Sequence, residues 1–265
     1  MRLFKLSLGV FAFLGSALAQ PVVSNGGVIN AASFAVGQPV APGGLVAIFG
    51  TSLSTATVSG DTIPLSDQIN NTSVTFNGIQ APLLFVSGGQ VNAQMPWEAL
   101  PAGATTGSVN VVVKSNGVLS SAVSVPLAAI GPGIFSIPNG AGYAVAVNNS
   151  DGSVAAPPGA IPGITTHPAN VGDALILYAN GLGPLDTPVQ DGAASSDALR
   201  NTLTKPQVLV GGVQATLLFS GLAPQFPGVN QVNFLVPQVS AGNSIPLQLA
   251  SGGITTTDKV VIAVK

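Results

Sequence analysis

The chain has 265 residues, of which 46% are hydrophobic and 6% are charged, with a formal net charge of −2. So few Lys and Arg residues exclude a surface that neutralises many phosphates, and nucleic acid is therefore not an expected partner. The apolar content excludes a disordered chain, and the absence of cysteine excludes disulfides, so buried side chains must stabilise the fold. The length suits two domains.

The first 19 residues have the pattern of a secretory signal peptide. Arg2 and Lys5 give a positively charged start, residues 6–18 are mostly apolar, and Ala19 ends a small-residue cleavage motif. The apolar run is short for a membrane-spanning helix, and no second run of that kind follows. We therefore expect cleavage between Ala19 and Gln20 and a secreted, extracellular or periplasmic location, without membrane insertion of the mature chain.

Much of the remaining sequence occurs twice. A duplicated domain keeps its strands while its loops change length, so equivalent segments recur in the same order at slightly different spacings. Four segments of the first half recur in this way, displaced by between 129 and 141 residues: "LVAIFGTSL" as "ALILYANGL", "VTFNGIQAPLLF" as "VLVGGVQATLLF", "QVNAQMP" as "QVNFLVP", and "VNVVVKSNG" as "IPLQLASGG".

The repeated segments alternate apolar and polar residues, as half-buried strands do. Tight hairpin turns are predicted at Asn77-Gly78 and Gly211-Gly212, because both pairs lie between apolar runs. In "QVNAQMP" the predicted inward side chains are Val91, Ala93 and Met95, and the predicted outward ones are Gln90, Asn92 and Gln94.

Short strands with closely spaced turn signals predict an all-β fold of two tandem immunoglobulin-like β-sandwich domains. The segment "GPG" at 131–133 interrupts any strand and marks the boundary between them. The predicted organisation is a signal peptide at 1–19, a first sandwich at 20–130 and a second at 131–265. The order "APGGLVAIFGTSL", "VTFNGIQAPLLF", "QVNAQMP" and "VNVVVKSNG" resembles the IPT/TIG family of immunoglobulin-like domains.

Four further motifs, "INAASF", "GPGIFS", "ILYANGLGP" and "GVNQVNFLVP", together resemble the Solibacter-type uncharacterised C-terminal domain family of secreted bacterial proteins. The resemblance covers roughly residues 22–265. Members usually end long secreted proteins, whereas here the domain pair makes up nearly all of the predicted mature chain. The resemblance implies an exported β-sandwich protein, and because the family carries no established activity it adds no catalytic residue.

The polar residues do not form the pattern of a catalytic site. His167 is the single histidine, and it lies in the loop "THPANVGD", where an exposed structural position is the simpler interpretation. Catalysis by histidine needs a placed nucleophile and an orienting acid. No nucleophile elbow, zinc-protease motif or phosphate-binding loop occurs in the sequence. We therefore predict a protein that is not an enzyme.

Two acidic segments are candidates for calcium, because carboxylate and amide oxygens are ligands that Ca²⁺ prefers. Neither segment has EF-hand spacing, and Asp-Gly pairs are common in simple turns, which is the alternative interpretation. No other cofactor is expected. The calcium candidates are Asp186, Asp191 and Asp197 in one loop and Asn148, Asn149 and Asp151 in another.

The loops in which the two copies differ in length are candidates for ligand binding, since a sandwich commits its strands to the core. The first copy has extra residues after Pro96 that include Trp97 and Glu98, and the second copy has extra residues at 220–230 that include Phe226. The alternative interpretation is that Trp97 caps the sandwich and that Phe226 packs against the first domain.

Together these features predict a secreted, non-enzymatic binding or adhesion module whose partner is an extracellular protein or polysaccharide surface. One alternative is a carbohydrate-recognising accessory module for polysaccharide use. Another is a structural subunit or spacer of an extracellular assembly.

Overall fold

A computed structural model of the chain describes residues 19–256 and 259–265, so residues 1–18 of the predicted signal peptide lie outside the described residues. The described chain is nearly all β, with one short 3-10 turn at Trp97–Ala99. Within these residues, no helix has the length and apolar character needed to cross a membrane.

Ten strands form the first half. They are β1 (Val22–Asn30), β2 (Leu45–Thr51), β3 (Val58–Ser59), β4 (Thr72–Phe76), β5 (Ile79–Gln80), β6 (Leu83–Val86), β7 (Gln90–Gln94), β8 (Thr106–Ser115), β9 (Val118–Leu119) and β10 (Val123–Ala128). One sheet has the order β1-β2-β7-β6-β3, and the other has the order β10-β8-β4-β5 with β9 beside β8. The two sheets enclose one apolar core, whose largest buried side chains include Phe76, Ile48, Leu53, Leu83 and Met95.

Twelve strands form the second half. They are β11 (Gly133–Ile134), β12 (Ser136–Ile137), β13 (Ala141–Ala144), β14 (Ala146–Asn148), β15 (Ala174–Asn180), β16 (Gln207–Val210), β17 (Val213–Gln214), β18 (Thr216–Leu222), β19 (Asn230–Leu235), β20 (Gly242–Ser251), β21 (Ile254–Thr255) and β22 (Lys259–Val264). One sheet has the order β11-β15-β19-β18 with β14 beside β15. The other has the order β12-β13-β22-β20-β16-β17 with β21 beside β20. A second core, centred on Phe234, Leu175, Leu177 and Leu247, lies between them.

The fold is therefore all-β, with two tandem immunoglobulin-like sandwiches, as the sequence predicts. Each of the four sheets draws its strands from one half only, and β10 ends three residues before Gly131 while β11 begins at Gly133. The predicted alternation in β7 is confirmed, because Val91 and Ala93 are fully buried in the first core.

The predicted hairpin turns are also confirmed. Asn77 and Gly78 have φ values of 50° and 84° and connect β4 to β5, and Gly211 and Gly212 have φ values of 56° and 82° and connect β16 to β17. Two successive residues at positive φ make the type I′ turn, whose twist matches that of the flanking strands.

Candidate functional site at the junction of the two sandwiches

The two sandwiches meet through buried side-chain amides, one of which is that of Asn180. Asn180 ends β15, is 1% exposed, and lies against Leu45 at the start of β2. The Leu45 N–H donates to Asn180 Oδ1 at 2.8 Å, and Asn180 Nδ2 donates to the Leu45 carbonyl at 2.7 Å. The amide of the second half thus satisfies backbone groups of the first half as a neighbouring strand would.

A second amide, that of Asn30, extends this contact to the linker between the halves. Asn180 Nδ2 donates to Asn30 Oδ1 at 2.9 Å, and Asn30 Nδ2 donates to the Gly131 carbonyl at 2.9 Å. Asn30 Oδ1 also accepts the N–H groups of Ala32 and Ser33, which fixes the turn that follows β1. The linker is therefore bonded to the same network that joins the two sandwiches.

Gln94 forms another part of the junction. Its predicted outward orientation is correct, but it faces the second sandwich and not water, and only 1% of it is exposed. Gln94 Nε2 donates to the Gly43 carbonyl at 3.0 Å, and Gln94 Oε1 accepts the Gly192 N–H at 2.6 Å. The equivalent residue of the second copy is Leu235, so this amide belongs to the junction and not to the duplicated strand.

The structure places Trp97, one of the predicted ligand-binding residues, at the edge of this junction. Its ring lies against Gly43, where any Cβ would overlap the indole and where φ is +72°. The backbone N–H of Trp97 donates to Asp191 Oδ1 at 3.1 Å, which joins the first half to the second. Burial raises the pKa of the Asp191 carboxyl, the Trp97 N–H lowers it, and the charge of Glu98 raises it further.

An apolar cleft of about 200 Å³ opens beside the Trp97 ring. Both halves contribute to its walls, with Pro42 and Leu100 on one side and Gly183 and Pro184 on the other. The Trp97 Nε1–H is buried and has no hydrogen-bond partner among the described residues.

Phe226, the other predicted aromatic, lies on a loop that reaches the junction from the second half. Gly228 of the same loop packs against Leu45 and the carbonyl of Gly43. Phe226 itself is 48% exposed, and it meets the ring of Tyr178 edge-on with ring centroids 5.8 Å apart. The two loops that differ between the copies therefore approach the same region around Gly43.

The structure does not bring the three acids of the first calcium candidate into one group. Asp191 lies at the junction, whereas Asp186 accepts two hydrogen bonds from Asn201 at 2.9 and 2.7 Å. Asp197 pairs with both terminal nitrogens of Arg200, which lowers the pKa of Asp197 to about 2. Across residues 19–256 and 259–265, no cluster of three or more His, Cys, Asp or Glu side chains could hold a metal ion.

The single histidine belongs to a Ser-His-Asp cluster that the sequence did not indicate. His167 Nε2 lies 2.6 Å from Asp151 Oδ2 and 2.8 Å from Ser153 Oγ, while the Ser153 hydroxyl donates to Asp151 Oδ1 at 2.7 Å. His167 Nδ1 is 3.0 Å from the Pro168 carbonyl, to which it donates. In a nucleophilic triad the acid and the serine bond opposite ring nitrogens. Here both bond Nε2, so the cluster ties two turns together and does not activate the serine.

We expect the His167–Asp151 pair to make stability depend on pH. The hydrogen bond that His167 donates to the Asp151 carboxylate raises the pKa of His167 above its ordinary value of about 6.5. The contribution of protonated His167 to the free energy of unfolding is therefore complete below pH 6.5, and it is lost as the pH rises through the pKa of His167 in the folded protein. The hydrogen bond from His167 lowers the pKa of Asp151. The stability that this ion pair provides is therefore lost when the pH falls below the ordinary aspartate pKa and Asp151 becomes protonated.

The measurement is an NMR titration of the only imidazole, together with melting curves of the wild type and His167→Gln from pH 5.5 to 9. The melting temperature of the wild type should exceed that of the variant at pH 6.5, and this difference should decrease as the pH rises further. A His167 pKa at or below 6.5 would contradict the ion pair.

Comparisons with known proteins add little to this description. No family model matches the chain, and no curated protein matches it. Among solved structures, the plexin A4 full extracellular region is similar over 99% of this chain and 20% of that chain, at 12% identity and a TM-score of 0.30. The I9–I11 tandem of titin is similar over 90% of this chain and 66% of that chain, at 12% identity and a TM-score of 0.20. The fold assignment therefore rests on the strands and sheets described above.

Proposed function

We propose that the protein is an exported, non-enzymatic binding module in which two immunoglobulin-like sandwiches act as one rigid unit. The observation that supports this proposal is the buried amide junction of Asn30, Gln94 and Asn180. Domains joined by a small polar contact are expected to move relative to each other, whereas buried amides whose oxygen and nitrogen atoms all have hydrogen-bond partners hold one arrangement. Loops of both halves can then present one composite surface.

The proposed recognition surface consists of three residues near the junction. Trp97 lines the apolar cleft, Glu98 follows it in the chain, and Phe226 lies on the loop that approaches Gly43 from the second half. Phe226 and Glu98 are exposed. A rigid aromatic side chain loses little conformational entropy when it binds, so it suits the centre of an interface. The resemblance to the Solibacter-type family and the signal-peptide pattern support an extracellular partner. The same rigidity would suit a spacer in an extracellular assembly.

The test is binding of purified residues 20–265 to bacterial cells and to insoluble polysaccharides, measured by co-sedimentation. The double variant Glu98→Gln/Phe226→Ala should lose most of the binding, with a loss of melting temperature of no more than about 4 °C, because both side chains are largely exposed. Leu119→Ala, which alters an equally exposed apolar side chain on β9, should bind like the wild type. Equal binding by the double variant and the wild type would contradict recognition at the junction.

A further inference from the structure

A larger cleft, of about 430 Å³, lies over the outer face of β4, β5 and β8 in the first sandwich. Its volume is in the range of small-molecule sites, but its walls are polar where such sites are usually apolar. Ser73 and Lys114 stand opposite each other on β4 and β8, and Gln80 of β5 lies in the neighbouring strand. The other wall is the loop before β4, with Asp67, Gln68 and Asn71.

The loop that forms this wall is held by backbone hydrogen bonds on several sides. The Leu65 N–H donates to the Gly192 carbonyl of the second half at 2.9 Å, and the Ser66 carbonyl accepts the Leu83 N–H at 2.7 Å. Ile69 and Thr72 exchange two hydrogen bonds around a tight turn. The cleft is thus formed before any ligand arrives, which lowers the entropy that binding would cost.

The polar groups in the cleft are free to bind a ligand. Among the described residues, the side chains of Asp67, Gln80 and Lys114 have no hydrogen-bond or ion-pair partner. An apolar ligand would bury these groups unpaired, at a cost that its own burial would not offset. One carboxylate and one ammonium group leave the cleft without net charge, so it has no preference for an ionic ligand.

We propose that this cleft binds a neutral saccharide unit of a polysaccharide. Sugar hydroxyls both donate and accept hydrogen bonds. They can therefore pair with the amides of the cleft, which also do both, with its ammonium group, which only donates, and with its carboxylate, which only accepts. The inference rests on the proposed function as a binding module, and it adds the ligand class and a site distinct from the junction cleft.

The second copy provides matched controls for this site. Gln214 occupies the position of Gln80 on the equivalent two-residue strand and is likewise exposed, and Ala250 occupies the position of Lys114. The saccharide site is therefore a specialisation of the first copy. Gln80→Ala removes one polar group from the cleft, and Lys114→Ala gives the cleft the alanine that the second copy has at this position. Gln214→Ala is the control, because it removes the equivalent amide from the second copy.

The experiment is isothermal titration of residues 20–265 with cellohexaose, xylohexaose and mannohexaose, and with hexagalacturonate as an acidic comparison. At least one neutral hexasaccharide should bind. Gln80→Ala and Lys114→Ala should each weaken that binding about fivefold, the effect of losing one hydrogen bond, while Gln214→Ala should leave it unchanged. Failure of all three neutral sugars to bind, or tighter binding of hexagalacturonate, would overturn the proposal, as would equal weakening by Gln214→Ala.

The junction and the cleft give separable results. If Glu98→Gln/Phe226→Ala abolishes binding to cells and no neutral sugar binds, the saccharide proposal fails and the binding module stands. If sugar binding depends on Gln80 while binding to cells is unaffected by the double variant, the saccharide site stands and the junction surface fails.

Discussion

Replacing Asn180 with leucine should destabilise the protein by about 2 to 4 kcal/mol, because a buried backbone N–H is left without an acceptor and two further hydrogen bonds are lost. Leucine has a similar volume but cannot accept from the Leu45 N–H or donate to the Leu45 carbonyl and Asn30 Oδ1. The free energy of unfolding, measured with urea by circular dichroism, should fall by that amount.

The matched control for this change is Thr51→Val. Thr51 occupies the position in the first copy that Asn180 occupies in the second, but it is exposed at the end of β2. Its replacement should alter the unfolding free energy by less than about 0.5 kcal/mol, as is usual for surface positions. Similar small changes in both variants would show that the buried amide does not join the halves.

The second large effect is expected for Trp97→Ala, which should destabilise the protein by about 3 kcal/mol, in the range of large-to-small aromatic replacements. The indole fills the space above Gly43, and Gly43 itself has no side chain that could fill this space once the indole is removed. The same truncation at Phe226, whose ring is 48% exposed, should cost about 1 kcal/mol or less.

Thermal melting of Trp97→Ala and Phe226→Ala, with Trp97→Phe as an intermediate, measures this difference. If Trp97→Ala lowers the melting temperature no more than Phe226→Ala does, the indole does not pack in the junction as described. Binding per folded molecule, measured in the same variants, separates a packing role of Trp97 from a recognition role.

The strands and turns could be predicted because their signals are local. Alternation in "QVNAQMP" placed Val91 and Ala93 in the core, and Asn77-Gly78 adopts the positive φ angles that the pair favours. The duplication added long-range information, since equivalent segments must form equivalent strands.

The junction could not be predicted in the same way. Strand alternation gives the face on which Gln94 lies, but whether that face meets water depends on where the second sandwich docks. Asn180 is the last residue of β15 and precedes Gly181, so locally it resembles an ordinary strand-ending residue before a turn. A signal was nevertheless present: Gln94 is the polar residue of its strand whose equivalent in the second copy is apolar Leu235.

For the candidate site, the sequence singled out loops but not how they meet. Differences in loop length drew attention to Trp97, Glu98 and Phe226, and the structure brings their loops together around Gly43. Sequence proximity misled for Asp186, Asp191 and Asp197, because an irregular loop turned each carboxylate toward a different partner. Ser153 and His167 are 14 residues apart, and neither matches a motif, so their contact needed the fold.

The most direct test of the rigid junction is amide hydrogen exchange at Gly192, measured by NMR. This amide lies in an irregular loop of the second half, and its acceptor is Gln94 Oε1 of the first. If the sandwiches form one unit, Gly192 should exchange nearly as slowly as core-strand amides such as that of Leu177, and Gln94→Leu should abolish its protection. Exchange of Gly192 in the wild type as fast as that of an exposed turn amide such as Gly163 would show that the two sandwiches separate freely.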